Sequence, residues 1–80
     1  MSEDEPLTLA EEIKRYDTKA LTEYLKRQVL QQYLDLSDTH IEILNKEEIT
    51  GCDFLDLSQE ELERWGMPGG PAKRLVKFAN

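Results

Sequence analysis

The sequence has little of what would cross-link a small protein or carry it into a membrane. It contains one cysteine, Cys52, which cannot form an internal disulfide or supply a metal cluster, so packing alone must hold the fold. No apolar run approaches the roughly 20 residues that a membrane-spanning helix needs. The acidic start, MSEDEPLT, is unlike a signal or transit peptide, and we therefore expect an intracellular protein, cytoplasmic or nuclear.

Positive charge is also scarce. Ten lysines and arginines stand against 17 aspartates and glutamates, which gives a formal net charge of −7. Nucleic acids and anionic membranes are bound through cationic patches, so neither is expected as the main partner. With 39% hydrophobic and 34% charged residues, the 80-residue chain is expected to form one domain around a marginal core.

The charges are segregated along the chain. Residues 1–12 hold five anions and no cation, and residues 13–46 hold six cations and five anions. Residues 47–63 then carry seven anions and no cation, whereas residues 64–80 carry four cations and no anion. We expect residues 1–7 to form a flexible acidic arm and residues 8–80 to form the folded helical domain.

No run of the sequence alternates with the period of a strand, so the predicted class is all-α. Helix start signals divide the first half of the domain. The stretch Thr8-Leu-Ala-Glu11 has the capping-box spacing and predicts a short helix over residues 9–15. Asp17 is a suitable N-cap for a helix over about residues 18–27. Residues 29–36 contain apolar side chains without glycine or proline, and they form either a helical extension or a packed connector.

The middle of the chain contains two further predicted helices. Ser37 or Asp38 can cap a helix that continues through Lys46. Gly51 is expected to supply the backbone freedom that the following turn between helices needs. A helix of one or two turns is predicted over residues 52–57.

The last third of the chain begins with a second capping box. Ser58-Gln-Glu-Glu61 predicts a helix that runs to about Trp65 and stops at Gly66. Pro71 suits the first turn of a final helix, which we expect over residues 71–79. The predicted fold is therefore a small bundle of short helices.

The residues that most often carry catalysis do not form a catalytic pattern. His40 has no second histidine at metal-ligand spacing and is expected to be a structural residue, at the surface or half-buried. Cys52 is expected to be inert. The carboxylates lack the alternation and central glycine of a calcium loop, and the loop at residues 67–71 lacks the lysine and threonine of a nucleotide site. Trp65 is predicted to be a core residue rather than an exposed anchor. We expect a non-enzyme with no cofactor and no metal.

The separated charges predict two surfaces, although ordinary surface charge would also account for them. The acidic face comprises Glu47, Glu48, Asp53, Asp56, Glu60 and Glu61. The basic face comprises Met67, Pro68, Gly70, Lys73, Arg74 and Lys77, beside a helix start whose free amides carry partial positive charge. If these surfaces bind a partner, each exposed charge pair contributes only about 0 to 1 kcal/mol. Apolar contacts near Phe54 or Met67 and Pro68 are therefore expected to supply much of the affinity for that partner.

Residues from about Tyr16 to Phe78 resemble the sterile alpha motif (SAM) family, a five-helix bundle. The matching features are Tyr16, the pair Tyr24-Leu25, the turn Ile49-Thr50-Gly51, the short helix Phe54-Leu55-Asp56-Leu57, the segment Ser58 to Met67, and Gly70. Three features depart from the family pattern, one of which is that the last predicted helix is short for the family. Position 16 has a tyrosine where tryptophan is usual, and the connector after Leu25 lacks the common glycine.

The resemblance implies a non-catalytic module with a five-helix SAM-type fold, with or without an extra short N-terminal helix. In this family an end-helix face binds a mid-loop face head to tail, and the basic and acidic faces stand in those places. Such a heterologous contact need not close, so a weak homo-oligomer or open polymer is expected, or pairing with another SAM domain. Two alternatives stay open. One is RNA binding by the basic-face cations together with Lys14, Arg15, Lys26 and Arg27, and the other is a scaffold domain that binds an unrelated protein segment.

Overall fold

The computed structural model describes residues 8–79, which form six α-helices and no strand. The helices are α1 (Leu9–Ile13), α2 (Thr18–Leu30), α3 (Asp38–Lys46), α4 (Gly51–Phe54), α5 (Gln59–Arg64) and α6 (Gly69–Ala79). The predicted all-α class is confirmed, and α1 is the extra short N-terminal helix. The acidic arm expected at residues 1–7 lies outside the described residues.

Capping boxes begin four of these six helices. In each box the N-cap hydroxyl accepts a hydrogen bond from the backbone N–H three residues on, and the side chain of that residue accepts one from the N-cap N–H. The pairs are Thr8–Glu11 for α1, Ser37–His40 for α3, Thr50–Asp53 for α4 and Ser58–Glu61 for α5. Asp17 caps α2 by accepting from the N–H of Ala20 at 2.8 Å. The caps predicted at Thr8, Asp17, Ser37 and Ser58 are therefore confirmed.

Two of these caps were not foreseen in full. The Thr50 box starts α4 at Gly51 rather than at residue 52, and α4 ends at Phe54, short of the predicted residue 57. In the Ser37 box, His40 takes the place of the usual glutamate, since its Nδ1 accepts from the Ser37 N–H at 3.1 Å. His40 is half-buried, so it has the structural role that the sequence predicts.

Helices α2, α3 and α5 end in the same way, with a left-handed residue two positions after the last helical one. Gln32 (φ 67°), Glu48 (φ 56°) and Gly66 (φ 103°) hold these positions. In each case the next N–H returns to a carbonyl five residues earlier, as from Tyr33 to Gln28 at 2.9 Å, which is the Schellman motif. Of the three, only the α5 end has the glycine that this conformation favours. At the ends of α2 and α3, a residue with a side chain adopts the left-handed conformation, which costs roughly 1–2 kcal/mol.

Gly51 does not form the turn after α3, because Glu48 does. It is the buried first residue of α4, and its N–H donates to the carbonyl oxygen of Tyr16 at 2.9 Å. A Cβ at this position would overlap the carbonyl oxygen of Ile13 and would lie 3.2 Å from the Cβ of Tyr16. The predicted role of Gly51 as a turn residue is therefore wrong, and glycine is needed because the chain at the end of α1 passes directly over α4.

The connector and the last helix also differ from their predicted bounds. Helix α2 continues to Leu30, three residues beyond the predicted end, and a connector follows in which Leu34 and Leu36 are buried. Both of the open alternatives for residues 29–36 therefore hold in part. Helix α6 begins at Gly69 rather than at Pro71, which lies instead in the first turn, where a missing N–H is tolerated.

All six helices of residues 8–79 contribute side chains to one hydrophobic core. Its buried apolar residues are Ile13, Leu21, Tyr24, Leu25, Leu34, Leu36, Ile41, Leu44, Ile49, Phe54, Leu62, Met67, Ala72 and Leu75. The ring of Tyr24 lies 5.7 Å from that of Tyr16 and 6.3 Å from that of Phe78, which joins the start of the bundle to the end of α6. Within residues 8–79, no helix has the length and apolar character needed to cross a bilayer.

Candidate functional site

Part of the acidic face surrounds a groove formed by the end of α3, by α4 and by α5. This acidic groove has a volume of about 260 Å³ and is lined by Ile49, Asp53, Asp56, Leu57, Glu61 and Trp65. Leu57 and Trp65 are half-buried and pack against the core. The groove therefore combines an apolar floor with three carboxylates. Trp65 was predicted to be a core residue. It does pack against the core, but it is only half-buried and also lines the groove.

Two of the three groove carboxylates also hold the fold together. The Asp53 carboxylate accepts from the Thr50 N–H at 3.2 Å, and the Glu61 carboxylate accepts from the Ser58 N–H at 3.1 Å. These bonds fix both carboxylates in position. Asp56 is exposed and takes part in neither capping box. A substitution of Asp56 therefore changes the charge of the groove without removing a helix cap.

The remaining predicted acids lie apart from this groove. Glu47, Glu48 and Glu60 are exposed, but none of them lines it. Glu48 instead holds the left-handed position that ends α3. The structure thus brings together half of the acidic face around one apolar floor and leaves the other half as peripheral charge.

The basic face is a stripe along α6. Gly70, Lys73, Arg74 and Lys77 recur at the spacing that places residues on one side of a helix, and all four are exposed. Ala72 and Leu75, on the other side, are completely buried. Pro68, just before the helix, is also exposed. The cations therefore point away from the core.

Met67 does not belong to this face. Its side chain is 2% exposed, because it follows Gly66 in the Schellman motif, where the residue after the glycine turns inward against the helix that has just ended. Phe54 is 0% exposed. The expectation that Phe54 and Met67 would supply apolar contacts to a partner is therefore wrong, and Pro68 is the one exposed member of that predicted set.

Arg74 and Lys77 also line a second groove, which the sequence did not predict. This basic groove, of about 350 Å³, is lined by Gln32, Tyr33, Leu34, Asp35, Arg74, Lys77 and Phe78. The Arg74 Nε donates to the carbonyl oxygen of Asp35 at 3.1 Å, which joins α6 to the connector after α2. Tyr33 is 70% exposed and Leu30 is 83% exposed, although both are large and apolar.

The other candidate residues of the sequence lie outside both grooves. Cys52 is exposed on α4. Within residues 8–79 there is no group of three or more histidine, cysteine, aspartate or glutamate side chains that could hold a metal ion. Lys14, Arg15, Lys26 and Arg27 are exposed, and none of them lines the basic groove.

A helical bundle with two grooves of opposite charge has the build of a binding module. The family model for a SAM-like domain matches residues 1–80, and the chain therefore belongs to the SAM-like domain family, as its resemblance to the sterile alpha motif predicts. Domains of this family are in general non-enzymatic protein interaction modules. Comparison with curated proteins and with solved structures gave no significant match.

Proposed function

We propose that this domain binds head to tail, either to copies of itself or to another SAM domain. The acidic groove of one molecule receives the basic face of the next. The observation that supports this most is the complementarity of the two surfaces, since Asp53, Asp56 and Glu61 surround one groove while Lys73, Arg74 and Lys77 project from α6. Among the described residues the two grooves share no lining residue, so one molecule can use both at once.

The contact is heterologous, because different surfaces of the two molecules meet. Such contacts add copies one after another unless the rotation between them closes a ring, so an open oligomer is expected. The charges on both surfaces are largely exposed and each pair contributes only about 0 to 1 kcal/mol. Assembly should therefore be weak and should decline as salt rises, since the Debye length falls from about 10 Å at 0.1 M to about 3 Å at 1 M.

Sedimentation of two charge reversals tests the proposal. Asp56→Lys alters the acidic groove without touching a capping box, and Lys73→Glu alters the basic face at an exposed position of α6. Wild type should form larger species as its concentration rises, and each variant alone should stay monomeric. A mixture of the two should give a dimer that does not grow, because each variant retains one intact face.

Matched controls separate this pairing from a general effect of charge. Glu23→Lys and Lys26→Glu make the same changes at exposed positions of α2 that line neither groove, so they should assemble as wild type does. Circular dichroism checks that all four variants are folded. A wild type that is monomeric at every concentration would contradict binding to copies of itself and would leave only binding to another SAM domain. Folded reversal variants that still assemble like wild type would contradict the proposal.

A further inference from the structure

The basic groove presents an aromatic side chain that the charge complementarity does not explain. Tyr33 is 70% exposed beside Arg74, Lys77 and the half-buried Phe78. Tyrosine and arginine are enriched where protein interfaces are buried, and a few such anchors usually carry most of the binding energy. Since Met67 is buried, the exposed apolar side chains near the basic face include Pro68 and Tyr33, and Tyr33 is the larger of these two and the one that lines the basic groove.

The backbone that carries Tyr33 is held in place from both sides. Its N–H donates to the carbonyl oxygen of Gln28 at 2.9 Å and closes the Schellman motif at the end of α2. Two residues further on, the Asp35 carbonyl accepts the hydrogen bond from Arg74. The backbone on both sides of Tyr33 is therefore held before binding, and binding has to order the Tyr33 side chain but not the connector that carries it.

The acidic groove has the complementary chemistry. Leu57 and Trp65 offer an apolar floor, and the carboxylates of Asp53 and Glu61 are held at its edge by their helix caps. A tyrosine has an apolar ring and a polar tip, so its ring fits the floor while its hydroxyl reaches an acceptor at the edge. Each carboxylate already accepts from its helix cap but has further acceptor capacity, which a tyrosine hydroxyl can use and a purely apolar side chain cannot.

We propose that Tyr33 of one copy inserts into the acidic groove of the next copy. Its ring packs against Leu57 and Trp65, and its hydroxyl donates to a carboxylate at the groove edge. Arg74 and Lys77, which line the basic groove together with Tyr33, then face the remaining carboxylates. The inference rests on the proposed head-to-tail function and assigns its apolar anchor.

A directional experiment tests the role of Tyr33. The Asp56→Lys variant keeps its basic face and the Lys73→Glu variant keeps its acidic groove, so their mixture has one interface of known polarity. Tyr33→Ala placed in the Asp56→Lys copy should weaken the dimer at least tenfold by isothermal titration calorimetry. The same substitution placed in the Lys73→Glu copy should leave the dissociation constant within twofold, because the Tyr33 of that copy is outside the interface.

The controls keep the outcomes distinct. Leu30→Ala in the Asp56→Lys copy removes a large exposed side chain that does not line the basic groove, and it should change affinity less than twofold. The assignment of Tyr33 would be overturned if Tyr33→Ala weakened the dimer equally in both copies or in neither copy. It would also be overturned if Leu30→Ala weakened the dimer as much as Tyr33→Ala does. If the parent pair does not dimerise at all, the head-to-tail function itself fails. Thermal unfolding should be nearly unchanged by Tyr33→Ala, since the side chain is mostly exposed.

Fluorescence gives an independent measure of insertion. Trp65 is the only tryptophan of the chain and lies in the acidic groove. With Trp65→Phe added to the Asp56→Lys copy, emission comes only from the groove of the Lys73→Glu copy. Binding should shift this emission to shorter wavelength as Tyr33 covers the indole. Tyr33→Ala in the Asp56→Lys copy should remove the shift, even when that copy is present at a saturating concentration. A shift that survives Tyr33→Ala would overturn the inference.

Discussion

Replacing Gly51 with alanine is the sharpest test of how α1 joins the bundle. A methyl group on Gly51 would overlap the carbonyl oxygen of Ile13 and would lie 2.7 Å from its carbonyl carbon. Both of these are backbone atoms, so no side-chain rotation can relieve the overlap. Either α1 and α4 move apart or α1 leaves the bundle.

The two responses bracket the expected cost. Forcing extra atoms into a packed site usually costs about 1–3 kcal/mol, and backbone collisions lie at the upper end. Detaching α1 instead exposes Ile13, now 3% exposed, which costs about 1.5–3 kcal/mol, and it breaks the hydrogen bond from Gly51 to Tyr16, worth about 1 kcal/mol. We therefore expect Gly51→Ala to lower the free energy of unfolding by about 2–4 kcal/mol, a large share of the roughly 5–15 kcal/mol typical of a domain.

Urea unfolding of wild type and Gly51→Ala measures this loss. Gly69→Ala is the matched control, because a Cβ there meets only the carboxylate end of Glu63 at 3.4 Å, and alanine is the better helix former by up to about 1 kcal/mol. The control should be neutral or slightly stabilising. Trypsin cleavage after Lys14 or Arg15 should accelerate in Gly51→Ala if α1 detaches. A Gly51→Ala variant within about 0.5 kcal/mol of wild type would refute the reasoning.

Two further predictions concern helix ends. Gln32→Gly should stabilise the domain by about 0.5–1 kcal/mol in urea unfolding, since it relieves roughly 1–2 kcal/mol of left-handed strain but adds about 0.5–1 kcal/mol of chain entropy. Gln31→Gly, at φ −87°, should destabilise instead, and equal effects of the two would contradict the strain argument. Hydrogen bonds from the backbone N–H and the hydroxyl of Thr8 hold the pKa of Glu11 below its ordinary value of 4.5. Because the folded pKa is the lower one, this carboxylate stabilises the fold above about pH 4.5, and the contribution is lost as pH falls through the folded pKa. The advantage of wild type over Glu11→Gln should therefore shrink below pH 4.5 in urea titrations, and an advantage that grows there would refute it.

Helix starts were predictable from the sequence because their signal is local. A hydroxyl or carboxylate at the N-cap and a glutamate three residues on act within one turn, so Thr8 and Ser58 could be read directly. Thr50 was missed because its partner, Asp53, was assigned to the acidic face instead. The structure shows that Asp53 belongs to both the cap and the groove.

Helix ends and close approaches were less predictable. Gln32 adopts a left-handed conformation in which glycine is usual, so the end of α2 gave no signal. The end of α3 at Lys46 was predicted correctly, but the residue that makes the turn after it is Glu48 rather than Gly51. Gly51 did look like a turn residue, but the reason for glycine there is the chain at the end of α1, 38 positions before it at Ile13. Contacts between residues so far apart in sequence cannot be read from local spacing.

The candidate faces were predictable in charge and not in geometry. Segregation of acids and cations along the chain predicts both candidate surfaces, but which acids converge depends on how α4 meets α5. Met67 was misplaced because exposure after a helix-ending glycine depends on the direction in which the chain turns. Tyr33 was missed because an aromatic residue in a leucine-rich connector reads as core, whereas the turn at Gln32 directs it outward.

The left-handed turns at Gln32 and Glu48 bear on how far this domain can be stabilised. Gln32 lines the basic groove, and Glu48 is one of the exposed acids of the acidic face that lie outside the acidic groove. Glycine at either position would relax the backbone and would also delete a side chain from a candidate binding surface. Selection for a more stable variant would therefore be expected to reach these two positions early and to alter both candidate binding surfaces as it did so.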